Sequence, residues 1–182
     1  MPFARKPNAI NAQLRRFRRN KRGSAAVEFA FIAPMFFALI FAIIESGLVF
    51  FAGQVLETGT QDTARLMLTH QAQDSGMTQV QFKQDLCNRV SVLFTCTKLY
   101  VDVKAYASFA TVTIADPIDS GGAFVNNFTY QSSNPGDTVV VRAFYQWPLF
   151  VTKLGYNIAN IGPNTSSSYR LLAATAAFRV EP

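Results

Sequence analysis

The amino-acid sequence predicts an α+β chain: a long N-terminal transmembrane helix that continues as a stalk and packs on a small, mostly antiparallel sheet with one additional helix. Three observations carry that expectation. From Phe29 to Ala52 the only ionisable residue is Glu45. A second helical pattern with a capping residue follows at Thr78. Beyond Leu99 the apolar period changes to two, and it stays so in several short segments up to the end of the chain.

The helix comes first. A 24-residue apolar helix at 1.5 Å per residue spans about 36 Å, enough to cross a hydrocarbon layer about 30 Å thick. Its orientation follows from charge. Eight of the 17 basic residues and none of the 11 acidic ones precede Ser24, so the net charge of +6 divides into +8 before that residue and −2 after it. Arg15, Arg16, Arg18, Arg19, Lys21 and Arg22 stand directly against the span. Basic flanks stay in the cytoplasm, which places the N-terminus inside and the C-terminal part outside. The same run has the composition of a nucleic-acid arm, but its position favours topology over that reading, and no nucleic-acid partner is expected. The apolar run is too long for a removable secretory signal, and the small-residue junction Gly23-Ser24-Ala25-Ala26 lies before it rather than after it.

Gly23 disfavours helix and Ser24 favours a helix start, so the backbone at this junction is poorly structured ahead of the helix. A capping box would put its acid at Val27, and Glu28 is one position late. Ala26, Ala30, Pro34, Ala38, Ala42 and Ser46 recur every four residues, a spacing that lets helix backbones approach closely in a membrane. Pro34 interrupts the hydrogen bond to Ala30 and is a candidate kink. Glu45, about 31 Å along the helix from Ser24, marks either the outer rim of the bilayer or a helix–helix contact.

The run Arg22-Gly23-Ser24-Ala25-Ala26-Val27-Glu28-Phe29-Ala30, with Ala33-Pro34 and Ile44-Glu45-Ser46-Gly47, resembles the TadE/TadG-like proteins of Tad (tight adherence) pilus systems. The last ten residues, Ala173 to Pro182, are similar to that family's ending. The resemblance is strong over residues 15–70 and weak between there and the tail. It implies a type IV-like pseudopilin whose leader is cut after Gly23 by a prepilin peptidase, leaving Ser24 as the first residue and Glu28 as the fifth. The new α-amino group would be largely cationic at neutral pH, about 6 Å along the helix from Glu28. It could then pair with Glu28 of a neighbouring subunit; the alternative is an unpartnered carboxylate at headgroup level. The partners implied are the prepilin peptidase, other pilins and pilus assembly proteins, in a bacterial inner membrane with the C-terminal domain periplasmic. The implied role is a minor pilin of an adhesive Tad-type pilus. An unpolymerised assembly factor and a generic anchored binding domain stand beside it.

The expected organisation is a basic cytoplasmic leader over residues 1–23, a span and stalk over 24–74, and a periplasmic α+β domain over 75–182. The stalk pattern continues through Val55, Leu56, Gly59, Ala64, Leu66 and Met67, with Asp62 and Arg65 spaced for an i,i+3 pair, and stops near Asp74-Ser75-Gly76. Thr78 caps a helix to about Phe94, with Val80, Phe82, Leu86, Val90 and Leu93 on or near one face. Cys87 and Cys96, placed outside the membrane, form one disulfide or remain two buried thiols. Strands are expected at Leu99–Tyr106, Phe109–Ile114, Thr138–Trp147 and Tyr169–Val180, with a short turn or helix at Leu149–Leu154. Residues 116–137 and 162–168 read as exposed connections. Asn127-Phe128-Thr129 and Asn164-Thr165-Ser166 match a glycosylation acceptor, discounted because the resemblance is bacterial. His70, the one histidine, has no companion ligands in sequence and reads as a surface residue. No nucleophile–base pair, phosphate loop or ligand cluster is present in the sequence, so neither enzymatic activity nor a cofactor nor a small-molecule substrate is expected.

Overall fold

The computed structural model describes residues 13, 18, 23–154, 156–162 and 168–181. Most of the basic leader and residues 163–167 of the last connection lie outside them. Helix α1 runs over Ser24–Leu68, with Pro34 inside it. The short α2 (Gln71–Asp74) and the longer α3 (Gln79–Val90) follow. Strands β1 (Leu99–Tyr106), β2 (Thr138–Pro148) and β3 (Tyr169–Arg179) pair antiparallel in the order β1-β2-β3. The chain is thus α+β, with a long apolar N-terminal helix and a three-stranded antiparallel sheet, as the sequence predicts.

The chain divides into two units between Phe41 and Ala42, inside α1. In the first, the helical residues carry exposed apolar side chains on every side, including Val27, Phe29, Phe31, Ile32, Met35, Phe36, Phe37, Leu39 and Phe41. A helix apolar all round and exposed suits lipid rather than water. By length and composition α1 could cross a membrane.

In the second unit, the rest of α1 buries a seam at Glu45, Val49, Ala52, Leu56, Gly59, Thr63 and Met67, spaced three and four residues apart. This seam and α3 form one hydrophobic core with one face of the sheet: Leu99, Val101 and Val103 of β1, Val139, Val141, Ala143 and Tyr145 of β2, and Leu172 and Ala174 of β3. Alternation along a strand sends the intervening side chains to the other face. Phe144 and Leu171 emerge there and pack with Tyr100, Ile118, Phe124, Phe128 and Ile161.

That second layer corrects one expectation. Residues 116–137, rich in turn formers, are not simply an exposed connection. They fold back over the sheet, and Phe128 stacks on Phe144 with ring centroids 4.8 Å apart. Thr129 and Gln131 exchange backbone hydrogen bonds with Val103, so this segment also covers the outer edge of β1. A second correction concerns Phe109–Ile114. The structure has a short 3₁₀ turn at Phe109–Thr111 and no strand there, and Phe109 and Ile114 stay exposed. With residues 129–131 taking the β1 edge, that apolar run has no strand to pair with.

The end of α1 also differs from the sequence expectation. The helix breaks at Leu68, ahead of Asp74. His70 adopts a left-handed conformation (φ 63°) before α2, which ends in its own turn at Gly76 (φ 62°). Helix ends leave carbonyls without intrahelical donors. Here the Glu181 amide donates to the Leu68 carbonyl (3.0 Å) and the Gln73 side chain to that of Met67 (3.1 Å). The chain's C-terminal segment is therefore part of the cap of α1.

α3 starts as the sequence predicts, but it ends at Val90 rather than near Phe94, and Val80 lies off its buried face, exposed. Thr78 and Gln81 form a reciprocal capping box, a type of cap worth about 1 kcal/mol. Asp62 faces Arg89 of α3 at 3.9 Å rather than pairing with Arg65. The hydrogen bond from Arg89 to Asp85 (2.8 Å) holds the guanidinium pKa above its ordinary value. Packing of α3 on α1 depends on Gly59, where an added Cβ would stand 2.5 Å from Cγ1 of Val90 and 3.3 Å from Cδ1 of Leu86. Val90 is branched at Cβ and fully buried, so it has little room to turn away. Gly59→Ala is expected to destabilise the domain by about 1–3 kcal/mol through overpacking, despite alanine's better helix propensity. Thermal unfolding of the purified protein checks this, and an unchanged or raised midpoint would contradict the close approach.

Candidate assembly and anchoring sites on the N-terminal helix

The residues singled out by sequence fall in three places. Gly23, Ser24 and Glu28 lie at the start of α1, all exposed. Gly23 has open space around it, with no heavy atom within 4 Å of where a Cβ would stand. The first turn of the helix brings Ser24 and Glu28 together, and the serine hydroxyl donates to a Glu28 carboxylate oxygen at 2.8 Å. The helical offset of four residues alone produces this contact. It puts the carboxylate beside the first residue of α1.

Glu45 lies elsewhere in the structure and makes different contacts. It is 5% exposed and sits at the first position of the buried seam of α1. Its carboxylate accepts hydrogen bonds from the backbone amides of Phe150 and Val151, the latter at 3.2 Å to both oxygens. Val151 opens a short 3₁₀ turn, Val151–Leu154, where the expected turn or helix falls. The first amides of such a turn lack partners of their own, and a carboxylate is an effective acceptor for them. Glu45 therefore anchors the segment after β2 to α1. Its neighbour Ser46 shares a hydrogen bond with the Tyr156 hydroxyl at 3.0 Å and donates to the Ala42 carbonyl at 2.8 Å. No local pattern in the sequence pointed to these partners, which are 105 to 110 residues away along the chain.

Cys87 and Cys96 form a disulfide, their Cα atoms 5.5 Å apart. The bond ties the last turn of α3 to the 3₁₀ turn, Cys96–Lys98, that leads into β1. Phe94, between them, packs edge-on against Tyr145 (4.8 Å) and Trp147 (5.8 Å), so the link lies over the aromatic end of the core.

A polar feature that sequence reasoning missed lies on the far face of the sheet. Asp102 and Arg142 are directly opposite in the β1–β2 register. Both are buried, and the guanidinium donates to Oδ2 of Asp102 from Nη2 (2.6 Å) and Nε (3.1 Å). Its Nη1 reaches the Ala115 carbonyl at 2.6 Å, while Asp102 Oδ1 accepts from the Thr129 amide at 3.0 Å. The pair thus holds both ends of the 115–129 excursion. Read locally, Asp102 is one of several scattered acids in alternating sequence, and only the strand register reveals its partner. Among the described residues no group of three or more His, Cys, Asp or Glu side chains could hold a metal ion.

Fold and site together define a chain with one membrane-length helix whose C-terminal half is built into an α+β domain, and with an exposed Gly-Ser junction ahead of that helix. The family model described as TadE-like protein matches residues 23–65, from Gly23 to the last turn of α1. The resemblance carried by the Gly23–Ala30 run falls inside that match. No curated protein and no solved structure matches the chain.

Proposed function

We propose that this chain is a pseudopilin-like, minor pilin subunit that supports assembly of a Tad-type adhesive pilus, and that a prepilin peptidase cuts it after Gly23. One observation supports this reading: the exposed Gly23-Ser24 junction, with Glu28 hydrogen-bonded to Ser24, opens a membrane-length helix at the start of the TadE-like match. The basic leader would stay in the cytoplasm, the apolar part of α1 in the bacterial inner membrane, and the domain of β1–β3 in the periplasm. Cutting releases a cationic α-amino group at Ser24. The Glu28 carboxylate, exposed and hydrogen-bonded to that serine, is then available to the terminus of a neighbouring subunit. Burying an unpaired acid in a membrane helix costs about 2.5–3.5 kcal/mol at the centre and less towards the interface. Pairing between subunits would offset that cost during assembly. Glu45 has internal partners in its own domain, and we assign it an anchoring role rather than one between subunits.

The reading gives a specific expectation for Glu28→Ala. The leader is still removed, since Gly23 and Ser24 are untouched, but surface pili are lost. Unchanged piliation would remove the pairing role. A permanent assembly factor is separated from a fibre subunit by location: a subunit is found in sheared surface fibres, an assembly factor only in membranes.

A further inference from the structure

The outer unit exposes an apolar collar where α1 emerges from its apolar run. Ile43, Ile44, Leu48, Phe50 and Phe51 are all exposed on the helix at this level. Phe150, more than 100 residues later, joins them, with 80% of its surface exposed. A phenylalanine this exposed at a turn is costly in water. A disordered turn could hide it, yet this one is pinned: the Phe150 and Val151 amides are held by the buried carboxylate of Glu45. Tyr156 stands on the same stretch of helix, its ring partly exposed and its hydroxyl bonded to Ser46. The chain thus buries a carboxylate, an unfavourable act in itself, to fix an aromatic side chain pointing outward.

We infer that Phe150, with Tyr156 and the exposed aromatics of α1, forms a collar inserted in the outer interfacial layer of the bilayer, seating the domain against the lipid surface. This rests on the membrane reading of α1 given above. Lipid is the occupant because the collar is continuous with the apolar run. Ile43 and Ile44 belong to the stretch that the span reading places in or at the edge of hydrocarbon, and Glu45 is the next residue. The Phe150 amide is hydrogen-bonded to that residue's carboxylate, which sets the Phe150 backbone beside the Glu45 side chain. The span reading allots about 36 Å of helix to the 24 residues from Phe29 to Ala52, more than the hydrocarbon layer needs, so the end of this run falls in the interfacial layer. Aromatic side chains with one polar end, such as Tyr156, favour that interfacial zone. The collar would restrict rocking of the domain on its helix and hold it at one height above the membrane.

The test uses the full chain reconstituted in phosphatidylcholine–phosphatidylglycerol vesicles with lipids brominated in the acyl chain near the headgroup. The chain has one tryptophan, so Trp147→Phe provides a dark background that keeps an aromatic ring against Phe94 and Tyr145. In it, Phe150→Trp reports on the collar and Phe36→Trp on the span. The expected result is that both reporters lose most of their emission to brominated lipid, and that Trp at 150 emits at shorter wavelength than a water-exposed indole. Quenching at 36 without quenching at 150 overturns the inference and leaves the span intact. If Trp at 150 is also shielded from acrylamide in that case, a second protein copy covers the turn instead of lipid. Quenching at neither position overturns the inference together with the membrane reading. Should the Trp147→Phe background not fold, Phe150→Trp in the otherwise native chain is read as the difference from wild type, with the same two outcomes.

Discussion

Asp102→Ala is expected to destabilise the α+β domain by about 3–5 kcal/mol, the range for removing one partner of a buried ion pair. The reason lies in what remains. Arg142 would keep its charge in a site where it is 5% exposed, over the Phe144 ring (5.2 Å from the centroid), with one carbonyl as its remaining partner. The Thr129 amide would lose its acceptor as well. Both ends of the 115–129 excursion would loosen, and with them the Phe124–Phe128–Phe144 aromatic layer. Arg142→Ala should cost a similar amount by stranding the carboxylate. Replacing both residues together with apolar side chains of like volume should recover most of the loss, because the desolvation of two charges disappears with them. Chemical denaturation of the three variants decides the matter. A loss in the double variant equal to the sum of the two single losses would show that the pair does not act as a unit.

Glu45→Ala should remove the acceptor for two backbone amides at once. A stranded buried donor costs about 1–3 kcal/mol, so the variant is expected to lose that much for each amide that water cannot reach. The effect should also be local. The turn at Val151–Leu154 is held to α1 by this carboxylate, while the Leu149 amide ahead of it donates to the Ser168 carbonyl next to β3 (2.6 Å). Limited proteolysis in detergent should therefore cut the chain near residues 149–156 in Glu45→Ala well before wild type. Glu45→Gln keeps one carbonyl oxygen in place and should recover part of the protection. Wild-type proteolysis kinetics in Glu45→Ala would contradict the anchoring role and return the residue to a contact between helices.

These two sites also show where local reading stops. The apolar run, the Gly23-Ser24 junction, the Thr78 cap and the strands at 99, 138 and 169 are signalled by residues within a few positions of one another. Glu45 and Asp102 look the same in sequence, as lone acids in otherwise apolar or alternating stretches. Their meaning comes from Phe150, Val151 and Arg142, partners 40 to 106 residues away. The double burial of β2 was hidden for a related reason. Gly, Ser, Asn and Pro in residues 116–137 announce turns, and they mask Phe124 and Phe128, whose rings close the second layer. Phe109–Ile114 shows the converse: its strand-like alternation had no edge left to join.

The account as a whole turns on which residue begins the mature chain. Protein purified from its native host, with its prepilin peptidase active, should give an intact mass and an N-terminal sequence starting at Ser24-Ala25-Ala26-Val27-Glu28. A chain that still begins at Met1 and reads through Arg22-Gly23-Ser24 would contradict the account, leaving a tethered domain with no free ammonium group for Glu28 to meet.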